Sequence, residues 1–254
     1  MVPSDESARF ENQTVVVTGA GSGIGRATAV RLLDEGARVI AVDLVPDRLD
    51  ELVASTSSNG RLVTIAGDLL DPGTSERILA ETDGRLDGLA NVAGIMDGFL
   101  PAAEVDDATW DRVMGVNVTA VMRLTRAVLP LMLAAGSGAI VNVASEAGLR
   151  GSAAGAAYTA SKHAVIGYTK STAFFYTAHG VRCNAVAPGP VATNIEAPFK
   201  SQFATERLGA LMQVAIPAVA SPENLAAAIT WLLSADSANV SGAVLPSDGG
   251  WSAM

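Results

Sequence analysis

The sequence predicts a single α/β domain, a doubly wound parallel sheet of about seven strands with helices on both faces. Short apolar runs rich in β-branched residues alternate with helical patterns along the chain, as in sheets whose parallel strands are joined by crossover helices. Polar or glycine-bearing residues follow most of these runs. No repeat or low-complexity linker divides the 254 residues, so one domain is the economical interpretation.

The expected strands are the β-branched or apolar runs, and the expected helices are the longer periodic stretches between them. We predict strands at 14–18, 37–42, 61–66, 87–92, 139–144, 181–186 and near 243–245. We predict helices after the loop at 19–25 and over 46–55, 72–84, 106–134, 153–179 and 222–234. The proline-punctuated segment 190–222 has no assigned element.

The first predicted strand passes directly into a glycine-rich loop and then a helix. Glycines at 19, 21, 23 and 25 permit positive φ and let a ligand approach without a Cβ in the way. The amides and dipole at the start of the helix suit a pyrophosphate. Asp43 ends the second strand about 20 residues further on, where a carboxylate can bind an adenosine ribose. This unit predicts a dinucleotide site.

Composition limits the partners and the location. The net charge of -9 argues against nucleic acid or an anionic membrane as the main partner. A single cysteine, Cys183, excludes an intrachain disulfide and fits a reducing compartment. Residues 1–13 are polar and lack the apolar core of a signal peptide. The uncharged run 127–145 is interrupted by Pro130 and by the glycines at 136 and 138, which predicts a helix, a loop and a strand rather than a membrane span. We therefore expect a soluble cytoplasmic protein.

Tyr158 and Lys162 lie four residues apart, on one face of the predicted helix 153–179. A cation fixed near a phenol favours the phenolate, so we expect Lys162 to lower the pKa of Tyr158 towards that of a working acid/base catalyst. Ser145, at the end of the fifth strand, could polarise a substrate oxygen. The alternatives are a surface pair for Tyr158 and Lys162, and a simple cap for Ser145.

An ordered set of motifs resembles the short-chain dehydrogenase/reductase family and its Rossmann fold. The resemblance extends from about residue 12 to Asp248-Gly249-Gly250. The motifs are Thr18-Gly-x-x-x-Gly-Ile-Gly25, Asn91-x-Ala-Gly94, Asn117, Ser145, Tyr158-x-x-x-Lys162 and Pro188-Gly189-x-x-x-Thr193. Each motif alone is weak evidence for this resemblance, but the ordered set is specific for the family.

The resemblance implies an oxidoreductase that moves a hydride between a nicotinamide cofactor and a substrate carbon. Tyr158 would be the general acid/base, Lys162 would lower its pKa and hold the ribose, Ser145 would bind the reacting oxygen, and Asn117 would hold a proton-relaying water chain. The implied cofactor-binding positions, which also include Tyr158 and Lys162, are Gly19, Gly21, Ser22, Gly23, Ile24, Gly25, Asp43, Leu44, Asp68, Leu69, Asn91, Ala93, Gly94, Pro188, Gly189, Val191 and Thr193. Asn91 has an alternative structural role, tying neighbouring strands together.

Charge favours NAD(H) over NADP(H). Asp43 would repel a 2′-phosphate, Leu44 follows it where an arginine could stand, and Ala20 and Ser22 in the glycine loop are uncharged. Arg48 is the one nearby cation, and we interpret it as a solvated helix charge.

Some positions depart from the family pattern or remain unassigned. Val92 stands where a second asparagine is usual, and we expect this change to be neutral. Glu146 follows Ser145 directly; facing the cleft it would disfavour anionic substrates, but a surface ion pair is the favoured interpretation. His163 and His179 read as packing or solvent-facing residues, and without clustered cysteines we expect no metal site.

We assign residues 1–12 to an N-terminal extension and residues 13–254 to the catalytic domain, with a substrate-binding lid at about 190–222. The apolar lid residues, including Phe199 and Phe203, favour a neutral secondary alcohol or its ketone, although they could equally be plain packing. Alternatives are a 3-oxoacyl-[acyl-carrier-protein] reductase, a hydroxysteroid or sugar-alcohol dehydrogenase, and a non-catalytic dinucleotide-sensing protein. The long helices at 106–134 and 153–179 resemble those of family tetramers, so we expect a homotetramer.

Overall fold

The computed structural model describes residues 8–195 and 197–253 and contains one seven-stranded parallel sheet. Its strands lie in the order β3-β2-β1-β4-β5-β6-β7. They are β1 Thr14–Thr18, β2 Arg38–Asp43, β3 Leu62–Ala66, β4 Gly88–Asn91, β5 Gly138–Val143, β6 Val181–Pro188 and β7 Val244–Ser247. The predicted doubly wound fold is confirmed, and the order reverses between β1 and β4, where such sheets bind ligands.

Helices cover both faces of the sheet. They are α1 Gly23–Asp34, α2 Pro46–Ser55, α3 Pro72–Ala80, α4 Asp107–Met114, α5 Ala120–Ala135, α6 Ala156–Tyr176, α7 Gln202–Ala215 and α8 Pro222–Leu233. Local chemistry sets several ends: Asp71 and Asp106 cap α3 and α4, and Gly136 ends α5 in the left-handed conformation.

The central strand β1 is buried on both faces. Val15 and Val17 belong to a core cluster with Leu32 of α1 and Ile229 of α8. Val16 points the other way, into a second cluster that includes residues of α5. Burial on both faces explains why β1 reads as a continuous apolar run rather than an alternating one.

The predicted helix over 106–134 contains a break in its hydrogen-bond pattern. One π-helical turn, Gly115–Thr119, separates α4 from α5 and carries Asn117. Such turns add a residue to the helix and are frequent at functional sites, but hydrophobic periodicity does not reveal them.

The stretch that includes α4, the π turn and α5, Asp107–Ala135, has the length and composition of a membrane-crossing helix. Core helices of globular domains share those properties. Leu124, Val128 and Met132 on this stretch are buried in the cluster on one face of the sheet, as in a core helix.

Other element boundaries differ from the expectations in ways that packing explains. Strand β6 runs on to Pro188, which pairs with Ser247 at the strand end, where a missing N–H is tolerated. Helix α7 lies inside the segment to which the sequence assigned no element. Phe10, placed in the predicted N-terminal extension, is fully buried in the core, so packing of the domain begins before residue 13.

Candidate active site

The glycine loop turns sharply between β1 and α1. Gly19 and Gly23 have φ of +65° and +50°, and a Cβ on Gly25 would lie 2.0 Å from the Gly19 carbonyl oxygen. The Ser22 side chain does not cap α1, so it leaves the first amides of that helix free to meet an anion. The loop is thus a cradle for phosphate that side chains would fill.

A cleft of about 480 Å³ opens beside this loop. The predicted positions that line it are Gly19, Ser22, Gly23, Ile24, Gly25, Asp43, Leu44, Asp68, Leu69, Ala93, Gly94 and Thr193. The predicted positions outside its lining are Gly21, Asn91, Tyr158, Lys162, Pro188, Gly189 and Val191. The cleft therefore extends from the glycine loop and Asp43 to the loop after β4 and the segment after β6.

Asp43 is held rigidly at this half of the cleft. Its Oδ2 accepts the Gly21 amide at 2.9 Å and its Oδ1 accepts the Val45 amide at 3.0 Å. Leu44 is 67% exposed, an apolar surface at the mouth of the cleft. Arg48 is half-buried and lines the same cleft, which corrects its interpretation as a solvated helix charge.

The cleft contains two further cations that the sequence did not single out, Arg112 and Lys200. They come from α4 and from the segment before α7, far apart in the chain. Only the fold brings them into the cleft.

Asn117 joins the π turn to the loop after β4. Its Oδ1 accepts the Ile95 amide at 2.9 Å, and its Nδ2 donates to the Ile95 carbonyl at 3.0 Å and to Ser161 Oγ at 3.1 Å. A Cβ on Gly94 would lie 3.3 Å from Asn117 Oδ1 and 3.4 Å from Lys162 Nζ. Gly94, Asn117 and Lys162 thus meet at one point.

Ser145, Tyr158 and Lys162 lie together at the carboxyl end of β5, with Tyr158 and Lys162 buried and Ser145 partly buried. Lys162 Nζ donates to the Val143 carbonyl at 2.9 Å and lies 5.4 Å from the centre of the Tyr158 ring. The Ser145 side chain lies near enough to the Tyr158 phenol to lower its pKa. Tyr158 and Lys162 are both buried, so the alternative of a surface pair is wrong.

Burial dominates the proton affinities of this cluster. It raises the pKa of the Tyr158 phenol to about 12, opposed by the Ser145 side chain and assisted by the Asp97 carboxylate. Burial also lowers the pKa of Lys162 to about 8. The expectation that Lys162 lowers the pKa of Tyr158 is therefore not met in this structure, because desolvation of the phenolate dominates that pKa and the ammonium donates to the Val143 carbonyl instead.

Comparison with known proteins places the chain in a family. The family model described as short chain dehydrogenase matches residues 13–203. The chain belongs to the short-chain dehydrogenase/reductase family. It is 40% identical over 260 residues to short-chain dehydrogenase/reductase olcF of Penicillium canescens, covering 96% of this chain and 98% of the relative. It is 38% identical over 250 residues to 3beta-hydroxysteroid dehydrogenase 2 of Eggerthella lenta, covering 95% of each.

Solved members of the short-chain dehydrogenase/reductase family share this fold. A short chain dehydrogenase from Mycobacterium paratuberculosis bound to NAD has a TM-score of 0.88 at 31% identity, covering 97% of this chain and 100% of its own. A structure described as an NAD(P)-dependent gluconate 5-dehydrogenase from Beutenbergia cavernae, with NADP at low occupancy, has a TM-score of 0.85 at 36% identity, covering 98% and 100%. The family uses NAD(P), and the glycine cradle fits such a cofactor.

In this short-chain dehydrogenase/reductase the Asn91 side chain serves the sheet rather than the cleft. It is buried, and its Nδ2 donates to Asn142 Oδ1 at 2.8 Å and to Thr125 Oγ1 at 3.3 Å. These contacts agree with the alternative role predicted for Asn91, in which it ties neighbouring strands together. Val92, where a second asparagine is usual, donates its backbone amide to Thr18 Oγ1 at 3.0 Å, a contact that does not need its side chain.

The segment after β6 crosses to the opposite wall of the cleft. Thr193 packs against Gly23, where a Cβ would lie 2.9 Å from the threonine methyl carbon. Beyond it, Phe199 stacks on Phe99 with ring centres 4.1 Å apart, and the Lys200 amide donates to the Gly98 carbonyl at 3.0 Å. These contacts hold the segment against the glycine loop and the loop after β4.

The prediction of a surface ion pair at Glu146 is wrong about its location. Glu146 does pair with Arg150, but its side chain is fully buried beneath the C-terminal segment, and Arg150 also donates to the Trp251 carbonyl at 2.7 Å. Burial raises the pKa of Glu146, and Arg150 opposes that shift. The sequence shows the i, i+4 spacing but not Trp251, which comes from the far end of the chain and helps cover the pair.

The histidines take no part in the cluster. His163 is exposed and its Nδ1 lies 2.9 Å from the Thr159 carbonyl, while His179 is exposed after α6. Among residues 8–195 and 197–253, no group of three His, Cys, Asp or Glu side chains is arranged to hold a metal ion.

Proposed function

We propose that this protein transfers a hydride between NAD(H) and a neutral secondary alcohol or its ketone, with Tyr158 as general acid/base. The cluster of Ser145 with the buried Tyr158 and Lys162 is the observation that carries this proposal. It lies beside Gly94 and Asn117, where the cleft that would hold the dinucleotide continues towards the catalytic helix.

The residues divide the work between binding and proton transfer. Bound nicotinamide would supply or accept the hydride. The Ser145 hydroxyl orients the substrate oxygen, and the Tyr158 phenol gives that oxygen a proton during reduction or its phenolate takes one during oxidation. Lys162 and Asn117 fix the surroundings of the phenol through Val143, Ile95 and Ser161.

The raised pKa of Tyr158 sets the direction of the pH dependence. With a pKa of about 12 the phenol is protonated at neutral pH, the form that reduction requires. Oxidation requires the phenolate, so its rate should rise with pH through the neutral range, whereas the reduction rate should not. Initial rates measured in both directions across pH check this; an oxidation rate that falls with rising pH contradicts the assignment.

The cofactor-binding set predicted from the sequence is proposed here except for Asn91, whose side chain ties neighbouring strands together. Asp43 at the adenosine end supports NAD, because a fixed carboxylate repels a 2′-phosphate. Arg48, which lines the same cleft and lies near Gly21 and Asp43, acts in the opposite sense. Steady-state kinetics with both cofactors separate the two choices, and a higher kcat/KM with NADP than with NAD would refute the proposal.

The apolar lid supports a neutral, largely apolar substrate. Phe199 and Phe203 are exposed on the lid, and Phe99 and Met96 lie on the facing loop. A hydroxysteroid dehydrogenase is the second candidate, because this lid is apolar and a relative of similar length is named for that activity.

We also propose that the protein is a cytoplasmic homotetramer. Helix α6 exposes Phe174 and Phe175, and the α4–α5 stretch exposes Trp110 and Leu133, a set of large apolar side chains that a subunit contact would cover. Cys183 is free and buried, as suits a reducing compartment. Light scattering that shows only a monomer at micromolar concentration would refute the tetramer.

The deciding experiment is the rate of NADH formation with NAD and NADP against a panel of secondary alcohols that includes hydroxysteroids. Tyr158→Phe keeps the ring and removes the proton-carrying hydroxyl, so kcat should fall by about 10³-fold. Calorimetric NAD affinity should fall far less than kcat, because the other proposed cofactor-binding positions are unchanged. Tyr176→Phe, on the far end of α6, is the matched control. NAD binding without turnover of any substrate would instead favour the dinucleotide sensor.

A further inference from the structure

Asp97, in the loop after β4, has no part in the family motifs quoted above, yet it contacts the catalytic helix. Its side chain is 2% exposed. Its Oδ2 accepts the Tyr158 amide at 2.9 Å, and its Oδ1 accepts the Phe99 amide at 3.0 Å. Both oxygens of this buried carboxylate are therefore engaged, and one of them holds the backbone of Tyr158.

Helix α6 depends on this contact because it has no side-chain cap of its own. Its N-cap is Gly155, which offers no side-chain acceptor. Asp97 supplies the missing acceptor from a position 61 residues away in the chain. The start of the catalytic helix is thus capped by a different element of the fold.

The turn and the helix fit closely around the carboxylate. A Cβ on Gly155 would lie 2.5 Å from Asp97 Oδ2 and from the Leu100 amide nitrogen. The Ala156 amide also donates to the Leu100 carbonyl at 2.9 Å. The helix start therefore cannot shift without disturbing the turn 97–100.

The same turn is held in an unusual conformation that meets the lid. Gly98 and Phe99 have φ of +71° and +58°, and a bulky residue such as phenylalanine rarely adopts a positive φ. The hydrogen bond from the Phe99 amide to Asp97 and the stacking of Phe99 on Phe199 both hold this conformation. Asp97 thus lies between the catalytic helix and the lid.

We propose that Asp97 is a positioning residue for Tyr158: its buried carboxylate fixes the start of α6 against the turn 97–99 and so places the phenol beside Ser145. The proposal rests on the function assigned above to Tyr158. It goes beyond that function in assigning part of the catalytic geometry to the loop that faces the lid.

Asp97 also acts on the phenol through its charge. The charged or polar groups facing Tyr158 are Asp97, the Ser145 hydroxyl and Lys162, whose Nζ lies 5.4 Å from the ring centre. The carboxylate adds to the effect of burial in raising the pKa of Tyr158. Removing that charge should therefore lower the pKa and move the rising limb of the oxidation rate to lower pH.

Three variants separate these effects. Asp97→Ala removes both acceptors, and kcat should fall about tenfold or more while NAD affinity stays within about twofold. Asp97→Asn keeps the volume and one acceptor but removes the charge, so the pH profile for oxidation should shift to lower pH. Asp71→Asn is the matched control, because Asp71 caps α3 through the Gly73 amide at 3.1 Å without contacting Tyr158, and it should change neither quantity.

Hydrogen exchange of the Tyr158 amide tests the geometry without turnover. Exchange should be faster in Asp97→Ala than in the wild type and unchanged in Asp71→Asn. Unchanged exchange and unchanged kcat in Asp97→Ala overturn the proposal. Should that variant fail to fold, an unshifted pH profile in Asp97→Asn overturns it instead.

The same measurement distinguishes this inference from the proposed function. A wild-type protein that turns over no alcohol, but whose Tyr158 amide exchange responds to Asp97 and not to Asp71, would refute the proposed function. The positioning of Tyr158 by Asp97 would then stand on its own.

Discussion

At the adenosine end of the cleft the surface is largely backbone, whereas the catalytic end consists of buried polar side chains. The adenosine end is shaped by Gly19, Gly23 and Gly25, and the Asp43 carboxylate there is fixed by two backbone amides. At the catalytic end, Tyr158, Lys162, Asp97 and Glu146 are all buried. Each of these four needs partners from other elements.

Because the two ends of the cleft consist of different groups, substitutions at each end should have different effects. A substitution in the glycine loop acts by steric conflict, which is local and does not depend on pH. Removing one partner of a buried ionisable pair destabilises the fold, because the remaining charge has lost both water and its counter-ion. The catalytic end should therefore show effects that depend on pH and on partners remote in sequence.

The largest effect should come from the buried pair of Glu146 and Arg150. Burial raises the pKa of Glu146 even with Arg150 beside it, so Arg150 offsets only part of the cost of desolvating the carboxylate. Arg150→Met leaves the carboxylate unpaired and should reduce the free energy of unfolding by about 2–3 kcal/mol at neutral pH, below the range for fully buried pairs because Arg150 is 25% exposed. Glu146→Gln should cost little, since glutamine resembles the protonated acid.

The raised pKa of Glu146 predicts how the stability loss in Arg150→Met changes with pH. A folded-state pKa above the unfolded value means that stability falls as pH rises between the two, so the loss in Arg150→Met should shrink at acid pH, where Glu146 is protonated. Urea unfolding at several pH values measures it. Arg85→Met, which removes an exposed pair with Asp87, is the control and should cost less than about 1 kcal/mol. Equal losses of unfolding free energy in Glu146→Gln and Arg150→Met would contradict this prediction, because they would show that the intact ion pair itself stabilises the fold.

The same contrast explains which parts of the site could be predicted from the sequence. The glycine loop, Asp43 and the seven strands are encoded in short contiguous patterns, and the structure has the seven strands in the expected places. The burial of Glu146 could not be predicted, because Trp251, which helps cover it, comes from the C-terminal end of the chain. Asp97 and the π turn carry no local pattern that separates them from an ordinary loop and helix.

A smaller effect should follow from adding one methyl group at the adenosine end. In Gly23→Ala the new Cβ must accept a φ of +50° and displace the Thr193 side chain, 2.9 Å away. NAD affinity should fall about tenfold, with stability reduced by about 1 kcal/mol. Gly60→Ala is the matched control, since its φ is +80° with nothing within 4 Å of the added Cβ. Calorimetric NAD binding should be weaker in Gly23→Ala alone; equal affinities would show that the loop tolerates side chains.

The smallest effect should appear where the lid meets the catalytic end. Phe199→Ala removes a stacked ring whose centre lies 4.1 Å from that of Phe99, with the ring planes 9° apart. A stacked aromatic pair contributes about 1 kcal/mol, so KM for an apolar alcohol should rise about fivefold with kcat nearly unchanged. Val53→Ala, on α2 outside the lid and 49% exposed, is the control and should leave KM unchanged. A fall in kcat with constant KM in Phe199→Ala would mean that the stacked rings act through Asp97 on Tyr158 rather than on the substrate. The dependence on partners remote in sequence would then extend from the catalytic end to the lid.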